Sequence, residues 1–377
     1  MNDWIYFDNN ATTPIDPKVV ETIIEELSYS PSNASSIHHF GQMAKARLSS
    51  ARYNIAKSIG KRPDEITFNS GATEALNSLI RGYSSLNPNK QIISSNIEHS
   101  CIYKTLMELK EHGRDVLFLS PDSKGLISSS ILNDALSDKT GLVVLSAANA
   151  ETGVKNEIDA IASLLHLKGI NFIVDAVAFF GKEHLTIHEG ITSMVFSGHK
   201  FHGPQGSGFI YKKKSFQLDN MMTGGEQEFS IRAGTENLAA IMGIAKAVEL
   251  LDNNIANIVE YISSLRDTFE SEILKNLSGV WINGEGPRVS NTSNMGFDKI
   301  DGESLLINLD LAKIAVSHGS ACASGAIEPS RILTNMGLSN KKANSSIRFS
   351  FSRMNTLEEV YKACDIIISQ VNQLRKL

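Results

Sequence analysis

Cysteine is scarce in this 377-residue sequence, where only Cys101, Cys322 and Cys364 occur. So few, and an odd number, build neither a disulfide framework nor a cysteine-rich zinc site, and they fit a reducing compartment, so a cytoplasmic protein is expected. No apolar run approaches the roughly 20 residues that span a bilayer, and no membrane association is expected. The first ten residues lack the basic and apolar regions of a signal peptide. A basic excess is also missing: 36 Lys and Arg against 41 Asp and Glu leave a net charge of −5, which argues against direct nucleic-acid binding. Internal repeats and low-complexity tracts are absent. What is present, 42% hydrophobic and 20% charged residues, describes a globular chain with a real core and excludes disorder as its main character. At roughly 150 residues per domain, the length suggests two or three domains, or one large domain with an appendage.

Short runs of Val, Ile, Leu and Phe alternate with helical patterns through the first two thirds. Strands are expected at 66–69, 91–95, 116–119, 142–147, 170–174, 194–197 and 208–211, mostly as continuous apolar runs suited to burial on both faces. Helices are expected between them, among others at 38–59, 73–84, 100–112 and 158–167. This alternation predicts an α/β domain with a mostly parallel sheet. From Glu236 to about Leu274 the pattern is helical, interrupted near Asp252–Asn254. Shorter strands at 280–283, 293–297, 314–317 and 346–350 and a final amphipathic helix over 357–374 predict a second, smaller α+β unit.

The segment from Val195 to Gly206 is the most informative. An apolar strand ends in Ser197, Gly198, His199 and Lys200, and a glycine-rich turn and another strand follow. Alone, Lys200 would read as a solvated strand-end lysine. Flanked by two apolar strands, it can be desolvated, which lowers the pKa of a lysine and suits it to Schiff-base chemistry with an aldehyde. Asp175 closes an earlier apolar strand. Sites in open α/β sheets form beyond the carboxyl ends of strands, so Asp175 and Lys200 can face one crevice. An acid for a pyridinium nitrogen and a lysine for an aldehyde are what pyridoxal phosphate requires; without Lys200, an ordinary turn or capping acid would be as good a reading of Asp175. The stretch Asn69–Glu74 joins a strand to a helix, so the start of that helix and the Thr73 hydroxyl can meet a phosphate, though the same residues would also serve as a plain helix cap. With Ser197 and His199 they outline a phosphate cup. His99 opens a helix after another strand, and three readings stay open for it: stacking on a flat ring, acid–base work, or no role beyond starting the helix.

Cys322 lies among small residues between His318 and Ala326, with no apolar neighbours to pack against, and reads as a nucleophilic thiol on an exposed loop. Cys101 and Cys364 read as packing residues of their helices. Arg348 is a lone cation in an apolar strand, better suited to clamping a substrate carboxylate than to a purely structural ion pair.

These features occur in order within Tyr6–Pro14, Ser35–His38, Ser70–Glu74, Glu98–His99, Glu151–Gly153, Asp175–Ala176, Ser197–Lys200, Arg232–Asn237, Gly319–Cys322 and Ser346–Arg348. On these motifs, which run nearly end to end, the sequence resembles the cysteine desulfurases among the fold-type I pyridoxal-phosphate enzymes. The length of the loop around Gly319–Ser324 is similar to that of the group serving iron–sulfur cluster assembly. The resemblance implies an α/β fold-type I PLP-dependent transferase, with a large PLP-binding domain at 16–250 and a small domain formed by 1–15 and 251–377. It further implies pyridoxal 5'-phosphate on Lys200, with Asp175 at the pyridine nitrogen and His99 covering the ring. Ala72, Thr73, Ser197 and His199 would hold the phosphate, with Thr235 reaching across from the second subunit of a homodimer. Arg348 and Asn10 would bind L-cysteine, and Cys322 would take its sulfur as a persulfide, release alanine and pass the sulfur to an acceptor, expected to be a protein. Enzymes of this kind supply iron–sulfur assembly, tRNA thiolation and DNA phosphorothioation.

Three positions depart from the family pattern. Ala150 stands where an asparagine is usual, Ala178 where a glutamine bonds the cofactor's phenolic oxygen, and Glu226 where a glycine is usual. An unreplaced hydrogen bond to an ionised group costs roughly 1.5–3 kcal/mol. Two competing readings follow: a weakened family member acting as a PLP-binding scaffold for a partner, or a related selenocysteine lyase or aminotransferase.

Overall fold

The computed structural model describes residues 3–376 except Ser30, Ser32 and 320–328. In chain order the strands are β1 (Ile5–Tyr6), β2 (Ile66–Asn69), β3 (Gln91–Ser95), β4 (Val116–Leu119), β5 (Thr140–Ser146) and β6 (Asn171–Asp175). They continue with β7 (Ser193–Ser197), β8 (Gly208–Lys212), β9 (Val280–Ile282), β10 (Thr292–Phe297), β11 (Ile314–Ala315) and β12 (Ser346–Ser350). A seven-stranded sheet has the order β2-β8-β7-β6-β5-β3-β4. Its pairs from β7 through β4 are parallel, while β8 runs against both β7 and β2.

Side-chain alternation explains why these strands read as unbroken apolar runs. In β5, Leu142 and Val144 pack with Leu76, Leu79, Ile102 and Leu106 of the helices Ala72–Leu86 and Ser100–Glu111. Their neighbours Val143 and Leu145 belong to a second cluster with Ile161 and Leu165 of the helix Ile158–Leu167. Both faces are covered, so neither sequence parity can be polar. The carboxyl ends of β3, β5, β6 and β7 open on one edge; β6 ends there in Asp175, and the segments leaving the other three carry His99, Ala150 and Lys200.

The remaining strands form a three-stranded antiparallel sheet, β12-β10-β9, and a parallel pair, β1 with β11. The N-terminal strand is thereby joined to a segment some 300 residues later, with Ile5 opposite Ile314. The long helical stretch is two helices, Leu238–Asp252 and Ile255–Asn276, broken at Asn253 and Asn254 where the periodicity falters. A helix at Pro17–Ser28 adds to those expected; Asp16 caps it through the Lys18 N–H at 2.9 Å and proline occupies its first turn, an arrangement that favours a start there. No helix among the described residues is long and apolar enough to cross a membrane.

Candidate active site

A cavity of about 630 Å³ lies beyond the carboxyl ends of the central strands, a volume typical of small-molecule sites. Lys200 ends the short turn Gly198–Lys200 after β7 and points Nζ into this cavity, where it donates to the carbonyls of Asn10 at 2.5 Å and Ala11 at 2.8 Å. Asp175, the last residue of β6, lines the same space. Burial pushes its carboxyl above the ordinary range, opposed by the Val177 N–H at 2.9 Å and by the charges of His99, Lys200 and Lys182. A buried acid facing cations is stable as a carboxylate once a cationic ring nitrogen adds to them.

His99 caps the helix Ser100–Glu111, its Nδ1 accepting the Cys101 N–H at 3.2 Å. The neutral ring must therefore carry its proton on Nε2. Burial lowers its pKa, as do Lys200 and Arg331, against the pull of Asp175.

The residues expected to form a phosphate cup come from three chain segments. Gly71 begins the helix Ala72–Leu86 with φ of 139°, and the Gly71 N–H is tied to Asn69 Oδ1 at 2.8 Å. The first N–H groups of this helix, at Ala72 and Thr73, have no intrahelical acceptor and suit an anion. A Cβ on Gly208 would lie 2.5 Å from the Phe196 carbonyl and 2.9 Å from the Gly71 Cα, so only glycine lets these segments close up. Ser197 and His199 border the same end of the cavity. His199 Nδ1 lies 3.1 Å from Thr12 Oγ1, and burial with nearby Lys200 and Lys182 lowers its pKa to about 4, leaving it neutral. Thr235 is exposed and does not line the cavity.

Arg348, in β12, is 5% exposed and forms the ion pair weighed from the sequence, with Nη2 2.8 Å from Asp8 Oδ1. Nη2 also donates to Ser317 Oγ at 3.1 Å, and Nη1 to the Ala150 carbonyl at 3.2 Å. Its Nε is buried with no hydrogen-bond partner among the described residues. The side chain as a whole lines the cavity, where its guanidinium charge can meet a carboxylate. Asn10 lines the cavity too, but its amide is engaged: Nδ2 donates to Thr292 Oγ1 at 2.8 Å and the Ala150 carbonyl at 3.0 Å, and Oδ1 accepts from Asn291 at 2.9 Å. Position 150 thus serves the site through its backbone, receiving both Asn10 and Arg348. Ala178 lines the cavity as a methyl group, and Glu226 is exposed.

Lys182 carried no sequence signal, and Glu98 entered only within the Glu98–His99 motif. Lys182, 4% exposed, lines the cavity, and burial with Lys200 and Arg348 nearby lowers its pKa to about 7. Glu98 is buried where Ser95 of β3 donates to Oε1 at 2.6 Å and the Ser146 N–H of β5 to Oε2 at 2.9 Å, so it ties two strand ends together; burial raises its pKa to about 7. Cys101 does more than pack: it lines the cavity with Sγ 3.0 Å from His99 Nδ1. Burial and Asp175 hold its pKa far above neutrality, so it stays a thiol and is no competing nucleophile. Cys364 is a buried packing residue, as expected. Cys322 lies outside the described residues.

The family model of class-V aminotransferases matches residues 5–362. A relative from Dictyoglomus turgidum, the cysteine desulfurase IscS, is 36% identical over 381 residues, covering 100% of this chain and 97% of its own. A solved NifS-like protein superposes with a TM-score of 0.91 at 30% identity, covering 98% of this chain and 100% of its own. A structure of SspA in complex with cysteine gives 0.81 at 29% identity, over 93% and 100%. The buried acid, the cavity lysine, the helix-start N–H groups and the cavity arginine fit pyridoxal phosphate and an amino-acid carboxylate. The chain belongs to the cysteine desulfurase family of class-V aminotransferases, enzymes dependent on pyridoxal phosphate.

Proposed function

We propose that this cysteine desulfurase converts L-cysteine to L-alanine and leaves the sulfur as a persulfide on Cys322. The observation that carries the reading is the convergence of Lys200, Asp175, His99 and Arg348 on one cavity beyond the strand ends. Pyridoxal phosphate, when bound through Lys200, supplies an electron sink next to the substrate's Cα. Asp175 holds the ring nitrogen protonated, and the helix start at Ala72 and Thr73, with Ser197 and His199, anchors the phosphate. Arg348, whose side chain lines the cavity, would orient the substrate by its carboxylate. The neutral His99 would offer its Nε2 donor to the cofactor ring, and Lys200 would move the proton at the substrate's Cα. The Cys322 thiolate attacks the substrate sulfur: an S–S bond forms, the Cβ–S bond breaks with its electron pair left on carbon, and a proton at Cβ completes alanine. L-cysteine plus a thiol thus give L-alanine plus a persulfide, with no external oxidant. SspA, solved with cysteine bound, supports the substrate.

We place the protein in the cytoplasm, where a persulfide survives oxidation, with a protein as sulfur acceptor. We also read it as a homodimer. Ile24, Leu27, Ile37, Phe40, Met43 and Phe229 are all exposed large apolar residues that a subunit interface would cover, and Thr235 would meet the partner's phosphate site. Sedimentation giving a monomer at micromolar concentration would contradict that assembly.

The test is turnover with L-cysteine and a thiol reductant. Alanine and sulfide are expected in equal amounts. Lys200→Ala should lose both the visible cofactor absorbance and turnover, and Cys322→Ala should bind cysteine without releasing sulfur. Pyruvate in place of alanine would overturn the reaction assigned.

A further inference from the structure

We propose that Arg331 is a positioning residue for His99, clamping the turn that presents the imidazole to the cofactor. The inference rests on the reading of His99 as the group covering the ring.

His99 sits between the turn 96–98 and the helix Ser100–Glu111, and Arg331 grips both. Its Nη1 donates to the Asn96 carbonyl and its Nη2 to the Glu98 carbonyl at 2.5 Å. The guanidinium carbon lies 4.0 Å from the centroid of the Tyr103 ring, one turn along that helix. Neither carbonyl takes part in the hydrogen bonding of β3 or of the helix, and a partly buried carbonyl needs a donor. One planar fork reaches two acceptors two residues apart and stacks on an aromatic face at the same time; an ammonium group does neither. Asn335, one helical turn later, adds a donor to the Asn96 carbonyl at 2.8 Å. Ser330, the preceding residue, donates to Glu151 Oε2 at 2.5 Å. The segment 330–335 is thus fastened to the cavity rim on two sides, and Arg331 itself lines the cavity.

The same side chain acts on the charge of His99. The groups facing the imidazole are Asp175 from β6, Lys200 from the turn after β7, Arg331, and the Cys101 thiol on its own helix. The Glu98 carboxyl is engaged by Ser95 and Ser146 instead. Asp175 favours imidazolium, while Arg331 and Lys200 oppose it. Since Nδ1 accepts the Cys101 N–H, a proton there would also break the helix cap. Arg331 therefore helps keep His99 neutral, with its donor at Nε2.

The test uses cofactor-loaded enzyme carrying 15N-labelled histidine, with His99 resonances assigned by His99→Ala. In Arg331→Gln the His99 titration should move to higher pH, and kcat should fall about 10- to 100-fold with KM little changed, as expected for a misplaced group. Arg331→Lys should keep the titration low, because the charge remains, yet recover kcat only in part. Asn335→Ala should leave the titration where it is. An unshifted His99 titration or a wild-type kcat in folded, cofactor-loaded Arg331→Gln overturns the proposal. If Arg331→Gln does not fold, a wild-type kcat in Arg331→Lys does so. Wild-type activity in His99→Ala would instead defeat the role of His99 itself, a separable result.

Discussion

Arg348 divides one side chain between structure and the role proposed for it. Two of its nitrogens are committed to Asp8, Ser317 and the Ala150 carbonyl, and the third has no partner among the described residues. If the proposed role holds, removing the guanidinium deletes a charge-assisted contact to the substrate carboxylate, worth about 1.5–3 kcal/mol. Arg348→Ala should therefore lower kcat/KM for cysteine roughly 10- to 150-fold, mostly through KM, with Arg348→Lys recovering only part because it cannot form the fork. Unchanged KM in a folded Arg348→Ala would remove it from the substrate site. Lys200, Asp175 and Arg348 were legible because each is a charge at the end of, or within, an apolar strand. Glu98 entered only as part of the Glu98–His99 motif, and Lys182 and Arg331 were not legible. Each lies in a polar-looking turn or at a helix start, and each acquires its role from contacts across the sheet edge that no local pattern encodes. Position 150 teaches the converse: the amide expected there is missing, yet its backbone carbonyl meets both Asn10 and Arg348.

At the scale of elements, the segment leading to Thr235 is held by a buried ion pair. Glu228, 5% exposed, receives both terminal nitrogens of Arg52 at 2.6 and 2.7 Å and the Phe68 N–H of β2 at 2.7 Å. Glu228, Phe229 and Ser230 all have φ near +50 to +60°, a conformation costly for residues with side chains. These contacts hold the strained turn in place, and a little further on Arg232 pairs with Glu74 at 3.0 Å, beside the phosphate cup. Glu228→Ala should destabilise the protein by about 3–5 kcal/mol, because it leaves a buried arginine unpaired; denaturant unfolding measures this, and a change under 1 kcal/mol would contradict it. The strands of the large sheet were legible nearly to the residue, since burial on both faces writes them as short apolar runs. The antiparallel direction of β8 was not, because direction depends on the connection rather than on strand composition. The helix Pro17–Ser28 had both an Asp-Pro start and apolar residues at helical spacing, Val19, Val20, Ile23, Ile24 and Leu27, and was nonetheless not among those expected.

The whole molecule should respond to pH through histidines buried in their neutral form. His202, 5% exposed, shares a hydrogen bond of 2.8 Å between Nδ1 and the Pro14 carbonyl, and burial with Arg353 nearby lowers its pKa from 6.5 to about 4. The unfolded chain binds this proton first as the pH falls. Its stabilising contribution is therefore present above pH 6.5 and lost progressively as the pH falls from there to about 4. Asparagine tolerates the φ of 67° at this position and can donate to the same carbonyl. His202→Asn should accordingly show a smaller drop in Tm between pH 7 and pH 4.5 than the wild type, and an equal drop would contradict the assignment. The central claim concerns where the sulfur goes. Enzyme mixed with L-cysteine, quenched with an alkylating agent and mapped by peptide mass spectrometry, tests it directly. One extra sulfur on the Cys322 peptide is expected, with alanine formed in equal amount and no label on Cys101 or Cys364; alanine formed while Cys322 carries no sulfur would contradict the account.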